Sequence, residues 1–283
     1  MIKRKFGWTD VEVPVIGQGT WMIDGSHESE RLAIEAIRLG LDLGLTHVDT
    51  AEMYGNGRVE KMVGEAITGR RDEVFLTSKI LPSNASYEGT LRACERTLKR
   101  LKTEWLDLYL LHWPGSYPIK ETMQAMEKLV SEGLVRFIGV SNFDVEDVVA
   151  AKRSLKDEQL TCNQVLHHLQ YRGIERRLLQ YCTENEIAVV GYSPFGHDNF
   201  PSPQTAGGQV LMEIANRYAC TPRQVALNFL THNPNIFTIP KTTQLMHARE
   251  NSESVSWKLS AEDLASIDRM FPIPDQDAPL EMI

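Results

Sequence analysis

Eight short apolar segments recur along the chain with amphipathic helical segments between them, and this alternation constrains the fold more than any other feature. Most of them start about 30 residues apart, the length of one strand–helix unit. They are nearly continuous apolar runs, as expected for parallel strands covered by helices on both faces. The predicted strands span residues 15–21, 46–49, 74–79, 106–112, 136–140, 161–165, 188–192 and 236–239.

Helical periodicity fills the intervals between these strands. In the first helix, Ala33, Ala36 and Ile37 fall on one face, and Gly44 supplies a C-cap at its end. The predicted helices span residues 29–43, 58–68, 87–101, 119–132, 145–155, 174–185, 209–218, 222–231, 243–252 and 261–270.

The alternation predicts an α/β fold, a (β/α)8 TIM barrel formed by residues 1–283 as one domain. Two extended runs, 2–6 and 11–15, predict an N-terminal β-hairpin outside the repeat, and the last two helices are extra helices near the C-terminus. An open doubly wound sheet is the alternative. It usually carries a Gly-x-Gly-x-x-Gly fingerprint, and Gly17-Gln18-Gly19 lacks the third glycine at that spacing.

Charge and hydropathy exclude several classes of partner. The net charge is −8 and the isoelectric point is near 5.6, which disfavours binding to a nucleic acid backbone. No apolar run approaches the roughly 18 residues that span a bilayer, and no apolar core of a secretory signal follows the basic start. The sequence therefore predicts a cytoplasmic protein that binds neither nucleic acid nor membrane.

Polar side chains stand at or just after the carboxyl ends of three successive predicted strands. Asp49 ends the second strand, with Tyr54 five residues later, Lys79 ends the third and His112 ends the fourth. Carboxyl ends of parallel strands share one face of a barrel, so we expect the four side chains to converge. Taken singly, they could be a turn residue, a packed ring, a solvated lysine and a core imidazole. Their joint placement, together with the residues that surround each of them, favours a catalytic role for all four.

These four residues resemble the catalytic set of the aldo-keto reductase superfamily, which implies hydride transfer to a carbonyl, and their chemistry suits that reaction. The carbonyl oxygen gains negative charge as the hydride arrives, so the site needs a proton donor and hydrogen-bonding support. An ammonium about 4 Å from a tyrosine stabilises the phenolate by roughly 4 kcal/mol at an effective dielectric of 20. Lys79 can supply that charge to Tyr54, Asp49 can hold Lys79 charged, and His112 can orient the carbonyl oxygen.

The residues around these four positions resemble the aldo-keto reductase superfamily along nearly the whole chain. The sequence Ala51-Glu52-Met53-Tyr54 and the short C-terminal tail are most similar to bacterial short-chain members of the methylglyoxal reductase and 2,5-diketogluconate reductase types. The resemblance implies reduction of small aldehydes and 2-oxoaldehydes such as methylglyoxal, with aromatic aldehydes or ketones as further candidates. It also implies a small-molecule carbonyl as the partner and a monomer. The resemblance is carried by residues 44–55, Lys79, 110–114, 138–143, 163–165, 191–195 and 239–242.

The resemblance further implies NADPH as the hydride source, because no side chain supplies a hydride. Ser141, Asn142 and Gln164 would hydrogen-bond the carboxamide, Tyr192 would stack on the nicotinamide, and Lys241 would contact the 2′-phosphate at a helix N-terminus. The full predicted cofactor site comprises Gly19, Thr20, Trp21, Asp49, Ser141, Asn142, Gln164, Tyr192, Ser193, Pro194, Phe195, Ile239, Pro240, Lys241, Thr242, Thr243, His247, Glu250 and Asn251.

One position departs from the family pattern. Six residues after Lys241 the family usually carries an arginine that stacks on adenine and helps to hold the 2′-phosphate, and this chain has His247. An ordinary histidine is mostly neutral at pH 7, and Arg249, two residues further on, points to another face of the helix. We therefore expect a weakened preference for NADPH and some use of NADH.

The predicted substrate pocket is aromatic. Its residues are Trp21, Met22, Tyr54, His112 and Trp113, with the loop 196–208 overhanging the mouth. The two tryptophans also fit simple packing at the barrel rim.

Two other classes of function are considered. A cofactor-sensing interaction protein on the same fold would keep the nucleotide site and lose turnover, and the intact set of four residues argues against it. A metal-dependent hydrolase needs a full ligand set, and His167-His168 has no carboxylate or cysteine at a recognisable spacing. We predict no metal site.

Overall fold

A computed structural model describes the whole chain, Met1–Ile283. Eight parallel strands form one sheet, and a separate two-stranded hairpin precedes it. The hairpin consists of β1 (Lys3–Lys5) and β2 (Glu12–Pro14), and the sheet of β3 (Gln18–Gly19), β4 (His47–Asp49), β5 (Phe75–Ile80), β6 (Leu106–Leu111), β7 (Val135–Ser141), β8 (Leu160–Leu166), β9 (Ala188–Tyr192) and β10 (Ile236–Thr238).

Helices cover the outside of this sheet, and their apolar faces pack on the strands. The α-helices are α1 (His27–Asp42), α2 (Arg58–Ala66), α3 (Tyr87–Leu101), α4 (Ile119–Ser131), α5 (Val145–Ser154), α6 (Leu178–Glu184), α7 (Ala206–Tyr218), α8 (Pro222–Leu230), α9 (Leu245–Glu253) and α10 (Ala261–Met270). No helix is both long and apolar enough to cross a bilayer.

The sheet closes into a barrel because its two outer strands meet. The order runs from β3 to β10 without a crossover, and every neighbouring pair is parallel. At the seam, the Gly17 amide donates to the Thr238 carbonyl at 2.7 Å and the Gly19 amide donates to the Pro240 carbonyl at 3.1 Å. The predicted (β/α)8 TIM barrel is confirmed, and the open sheet is wrong.

The predicted N-terminal hairpin is also confirmed, and it closes one end of the barrel. Phe6 follows β1 and is fully buried. Its ring centroid lies 5.1 Å from that of Phe75 and 4.9 Å from that of Phe237. Phe75 is the first residue of β5, and Phe237 is the middle residue of the short β10. The hairpin therefore covers the end of the barrel opposite the strand ends that carry the polar side chains.

The largest differences from the predicted helix bounds lie at the starts of two helices. The predicted helix 174–185 is a 3-10 turn, Gly173–Glu175, followed by α6, because Arg177 between them has a non-helical φ of −127°. Helix α7 begins three residues earlier than predicted, since the Thr205 side chain caps it by accepting from the Gly208 amide. The loop after β9 therefore ends at Thr205 instead of Gly208.

Close packing of α2 on α3 generates a prediction about stability. A Cβ added at Gly64 on α2 would lie 2.5 Å from the carbonyl oxygen of Leu101 on α3. That backbone cannot relax as a side chain can, so Gly64→Ala should lower the free energy of unfolding by about 1–3 kcal/mol, despite the better helix propensity of alanine. Urea denaturation measures the change. Gly173→Ala is the control, because its nearest neighbour would lie at 3.8 Å, and equal effects of the two variants would contradict this account.

Candidate active site

The four predicted catalytic side chains meet at the carboxyl ends of β4, β5 and β6. Lys79 is their centre: its Nζ lies 2.5 Å from Asp49 Oδ1 and 3.4 Å from Tyr54 Oη. The same ammonium donates to the Thr50 carbonyl at 2.9 Å. The His112 and Tyr54 ring centroids are 5.9 Å apart. The convergence expected from parallel strand ends is therefore present.

The charge of Lys79 is maintained inside the protein by its neighbours. Its side chain has no solvent exposure, and that of Asp49 has 2%. Burial alone would lower the pKa of Lys79, but Asp49 and Tyr54 oppose this and bring the pKa above its ordinary value. Asp49 is itself held, because Gln164 Nε2 donates to its second oxygen at 2.7 Å. The pair is a fixed cation–anion unit beneath the tyrosine.

Tyr54 begins a tight turn that follows β4. The turn, Tyr54–Gly57, contains left-handed backbone at Gly55 and Asn56, and α2 starts directly after it. Burial raises the pKa of the Tyr54 phenol, and the nearby Lys79 opposes that rise. The phenol is consequently protonated at neutral pH and lies beside a permanent cation.

His112 is neutral in this environment. Burial and the positive charge of Lys79 lower the pKa of His112 to about 2. Its main chain is fixed from two sides: its amide donates to the Ile80 carbonyl at 3.0 Å, and its carbonyl accepts from Asn142 Nδ2 at 3.0 Å. A neutral imidazole can donate a hydrogen bond to an acceptor beside Tyr54 without carrying charge.

A cavity of about 660 Å³ opens above these residues. Most of the predicted cofactor and substrate residues line it, whereas Lys79 lies buried beneath it. The predicted residues in the wall are Gly19, Thr20, Trp21, Met22, Asp49, Tyr54, His112, Trp113, Ser141, Asn142, Gln164, Tyr192, Ser193, Pro194, Phe195, Ile239 and Lys241.

The other predicted cofactor residues lie outside this cavity, in the segment between β10 and the end of α9. Helix α9 starts two residues later than predicted, because the Thr242 hydroxyl accepts from the Gln244 amide at 2.9 Å and forms a turn first. His247 is half-buried on α9, and Arg249 is exposed. The residues outside are Pro240, Thr242, Thr243, His247, Glu250 and Asn251.

Polar groups deep in the cavity are already ordered by one another. Asn142 has left-handed backbone with a φ of 59°, and its Oδ1 accepts from Tyr192 Oη at 2.9 Å. Ser141 Oγ donates to the main chain of Gln164 at 2.8 Å. These bonds hold the Tyr192 ring and leave further acceptor positions on the Ser141 and Gln164 oxygens.

Part of the cavity wall was not predictable from the sequence. The loop that follows β9 contributes residues within the expected overhang, and the ring of His197 lies 5.6 Å from that of Trp21. The C-terminal tail, which showed no pattern, also reaches the mouth. The lining residues absent from the predicted site are Met53, Gly196, His197, Asp198, Met282 and Ile283.

Long-range polar contacts fix the tail over the mouth. Tyr171 Oη donates to the Pro279 carbonyl at 3.2 Å and accepts from the Glu281 amide at 2.6 Å. Arg176 pairs with Asp277 at 2.6 Å. Because these partners are about a hundred residues apart in sequence, no local signal could have placed the tail.

In the His167-His168 pair, His167 is hydrogen-bonded to a carboxylate. His167 Nε2 lies 2.9 Å from Glu175 Oε1, and Glu175 is also bound by Arg172 at 2.7 Å. No group of three or more His, Cys, Asp or Glu side chains is placed to hold a metal ion.

Comparison with known proteins establishes the family. The model of the aldo/keto reductase family matches residues 15–271. The chain is 40% identical to methylglyoxal reductase YeaE of Escherichia coli K12 over 97% of this chain and 96% of that protein. It is 35% identical to glyoxal reductase of Bacillus subtilis 168 over 94% of each. A crystal structure of an aldo-keto reductase from Klebsiella pneumoniae in complex with NADPH superposes with a TM-score of 0.93, at 40% identity over 100% of both chains.

The fold and the relatives of this chain thus define an oxidoreductase built on a (β/α)8 barrel. The chain belongs to the aldo/keto reductase family, and the resemblance seen in the sequence is confirmed.

The buried histidines generate a prediction about stability and pH. His47, in the barrel interior, is fully buried, and burial together with Lys79 lowers its pKa to about 3. The unfolded chain takes up a proton at this residue below about pH 6.5, whereas the folded chain stays neutral there down to about pH 3. Stability should therefore fall as the pH falls through this window. The His47→Gln substitution should make the slope of the free energy of unfolding against pH shallower by up to about 1.4 kcal/mol per pH unit.

Urea denaturation at a series of pH values between these limits measures that slope. The exposed His232 provides the matched control, His232→Gln. If the His47 and His232 variants gave the same slope as the unchanged protein, the assignment of a neutral buried His47 would be wrong.

Proposed function

We propose that this protein is an NADPH-dependent reductase of small aldehydes and 2-oxoaldehydes of the methylglyoxal type, with Tyr54 as the proton donor. The observation that carries the proposal is the contact of 3.4 Å between Tyr54 Oη and the buried ammonium of Lys79, below an open cavity. The relatives named as methylglyoxal and glyoxal reductases support the substrate class.

The residues of the cavity fit a nicotinamide dinucleotide. Buried acceptor and donor groups of Ser141, Asn142 and Gln164 stand beside the Tyr192 ring at one end, which suits an amide on an aromatic ring. The backbone is close-packed at Gly19 in the cavity wall. A Cβ there would lie 2.5 Å from the Ile239 carbonyl oxygen and would force the two backbone segments apart. NADPH, when bound there, supplies the hydride.

Three residues of the chain then orient and protonate the carbonyl oxygen of the substrate. His112, neutral, donates a hydrogen bond that orients the carbonyl oxygen. Tyr54 Oη gives its proton to that oxygen as negative charge develops, which makes it the general acid. Lys79 stabilises the resulting phenolate by Coulomb attraction.

Several apolar side chains line the cavity, and they favour aromatic aldehydes and ketones as additional substrates. Trp21, Met22 and Trp113 face the same cavity as Met53 and Met282. Aromatic and thioether side chains make favourable contacts with flat apolar groups.

All the proposed catalytic side chains come from one copy of the chain, so we further propose that residues 1–283 act as one domain and as a monomer.

Removal of the Tyr54 hydroxyl tests the proton donor. Tyr54→Phe should lower NADPH oxidation with methylglyoxal or an aromatic aldehyde by about 10²-fold or more, the scale of lost general acid catalysis, while NADPH binding is retained. Initial rates and equilibrium binding measure the two effects. Tyr181→Phe on α6 is the control and should keep full activity. Tight binding of NADPH without turnover by the unchanged protein would instead favour a cofactor-sensing function.

The position of His247 on α9 generates a prediction about cofactor choice. His247→Arg adds a permanent cation near the segment that begins with Lys241, so it should tighten NADPH binding by roughly 5- to 10-fold, the value of one exposed charge-assisted hydrogen bond. NADH binding should stay unchanged, because NADH lacks the 2′-phosphate. Titration with both cofactors measures this. Arg249→Gln, on another face of α9, should alter neither affinity, and a loss of NADPH affinity in that variant would reassign the phosphate contact to Arg249.

A further inference from the structure

A buried cluster of charges lies behind the active site, between the barrel and the helices. Glu60 on α2 has a side chain with no solvent exposure, and its Oε2 lies 2.5 Å from Arg100 Nε on α3. Glu52, between β4 and the Tyr54 turn, is 6% exposed, and its Oε2 lies 3.9 Å from Arg100 Nη2. Arg96 approaches the same Glu52 oxygen at 3.8 Å. Two buried carboxylates thus share the guanidinium of Arg100.

The remaining oxygens of the two carboxylates bind the backbone segment that carries Lys79. Glu60 Oε1 accepts from the Ser78 hydroxyl at 2.7 Å. Glu52 Oε1 accepts from the Leu81 amide at 2.7 Å, and the Glu52 amide donates to the Lys79 carbonyl at 3.2 Å. The cluster therefore holds the chain at Ser78, one residue before Lys79, and at Leu81, two residues after it.

Strand alternation explains how an outer cluster can control an inner side chain. Successive side chains of a strand point to opposite faces, so Ser78 points to the helix layer when Lys79 points into the barrel. Glu60 holds Ser78 from outside, at the residue before the one whose ammonium contacts Tyr54. A shift of β5 along its axis would move Lys79 by the same amount.

The cluster also sets the turn that carries Tyr54. Arg100 lies against Gly57, where a Cβ would be 2.6 Å from its Cδ and Nε, and Gly57 has a φ of 82°. Arg100 packs against the end of the Tyr54–Gly57 turn, while its charge holds Glu52 just before that turn and Glu60 just after it. Both partners of the Lys79–Tyr54 contact are thus tied to the same guanidinium.

We propose that Glu60 and Glu52, joined by Arg100, are positioning residues for carbonyl reduction, because they set the distance between the Lys79 ammonium and the Tyr54 hydroxyl. The inference rests on the proposed function for its consequence in turnover, but the geometry it concerns exists without substrate. Apolar residues of similar volume could fill such a site without loss of stability. Stability alone therefore does not account for the buried charges, and we assign them the role of positioning Lys79 and Tyr54. Displacements of about 1 Å cost a reaction of this kind about 10²-fold in rate.

Glu60→Gln is the sharpest variant, because it changes one atom and removes the negative charge that pairs with Arg100, while one acceptor oxygen remains. Glu65→Gln is the matched control, since it makes the same change at an exposed position of the same helix. Ser78→Ala is a second variant that removes only the link to β5 and keeps both charges of the Glu60–Arg100 pair. Arg100→Lys keeps the cation and is expected to retain part of the function.

The first measurement is the pH titration of Tyr54, monitored by ultraviolet absorbance. For each variant, the spectrum of the same variant carrying Tyr54→Phe is subtracted, so that only the signal of Tyr54 remains. The groups that face Tyr54 are Lys79, Asp49, His112 and Tyr192, and none is altered. A nearby ammonium lowers the pKa of a phenol, so a withdrawn Lys79 should let the titration of Tyr54 move to higher pH, by about half a unit or more, in Glu60→Gln and Ser78→Ala.

The second measurement is the single-turnover rate of NADPH oxidation per NADPH-binding site. We expect a fall of about 10-fold or more in Glu60→Gln, unchanged NADPH affinity, partial retention in Arg100→Lys and no effect of Glu65→Gln. A Glu60→Gln protein that is less stable, but whose Tyr54 titration and rate per site match those of Glu65→Gln, would reduce the cluster to a stabilising role and overturn the proposal. Absence of turnover in the unchanged protein would refute the proposed function, and the Tyr54 titration would still decide the positioning role.

Discussion

The buried ammonium of Lys79 is the interaction on which the rest of the site depends. A lysine without solvent exposure loses its hydration, and the loss costs several kcal/mol unless neighbouring groups replace the water. Asp49, the Thr50 carbonyl and Tyr54 replace it here. Removing Asp49 would leave an uncompensated charge in the barrel, so the same contacts that stabilise the fold also keep a cation beside the proposed proton donor.

The closed barrel makes this arrangement possible, because it brings together groups from strands that are not neighbours. Gln164 on β8 donates to Asp49 on β4 across the interior, although the two residues are 115 positions apart in the chain. The seam between β3 and β10 holds the circle closed, and Phe6 fills its far end. The electrostatic interactions of Lys79 are therefore formed in a space from which most water is excluded, where they are stronger than at a surface.

The layers outside the barrel act on the site indirectly. On one side, α2 and α3 place the shared guanidinium of Arg100 against the two segments that carry Lys79 and Tyr54. At the mouth, the tail places Met282 and Ile283 in the cavity wall. The chemical groups thus belong to strand ends and their first turns, whereas the shape of the space above them belongs to loops and to the tail, a division common in barrels of this kind.

Periodic apolar runs were enough to predict the eight strands, the barrel and the convergence of Asp49, Tyr54, Lys79 and His112, because strand direction alone places their ends on one face. The residues at the mouth were only partly predictable. Met282 is in the wall because Tyr171 and Arg176 hold the tail from a hundred residues away, and periodicity and capping signals report neighbours in the chain, not partners across it. Only the folded chain brings such pairs together, since their contacts join segments that are distant in the sequence and close in space.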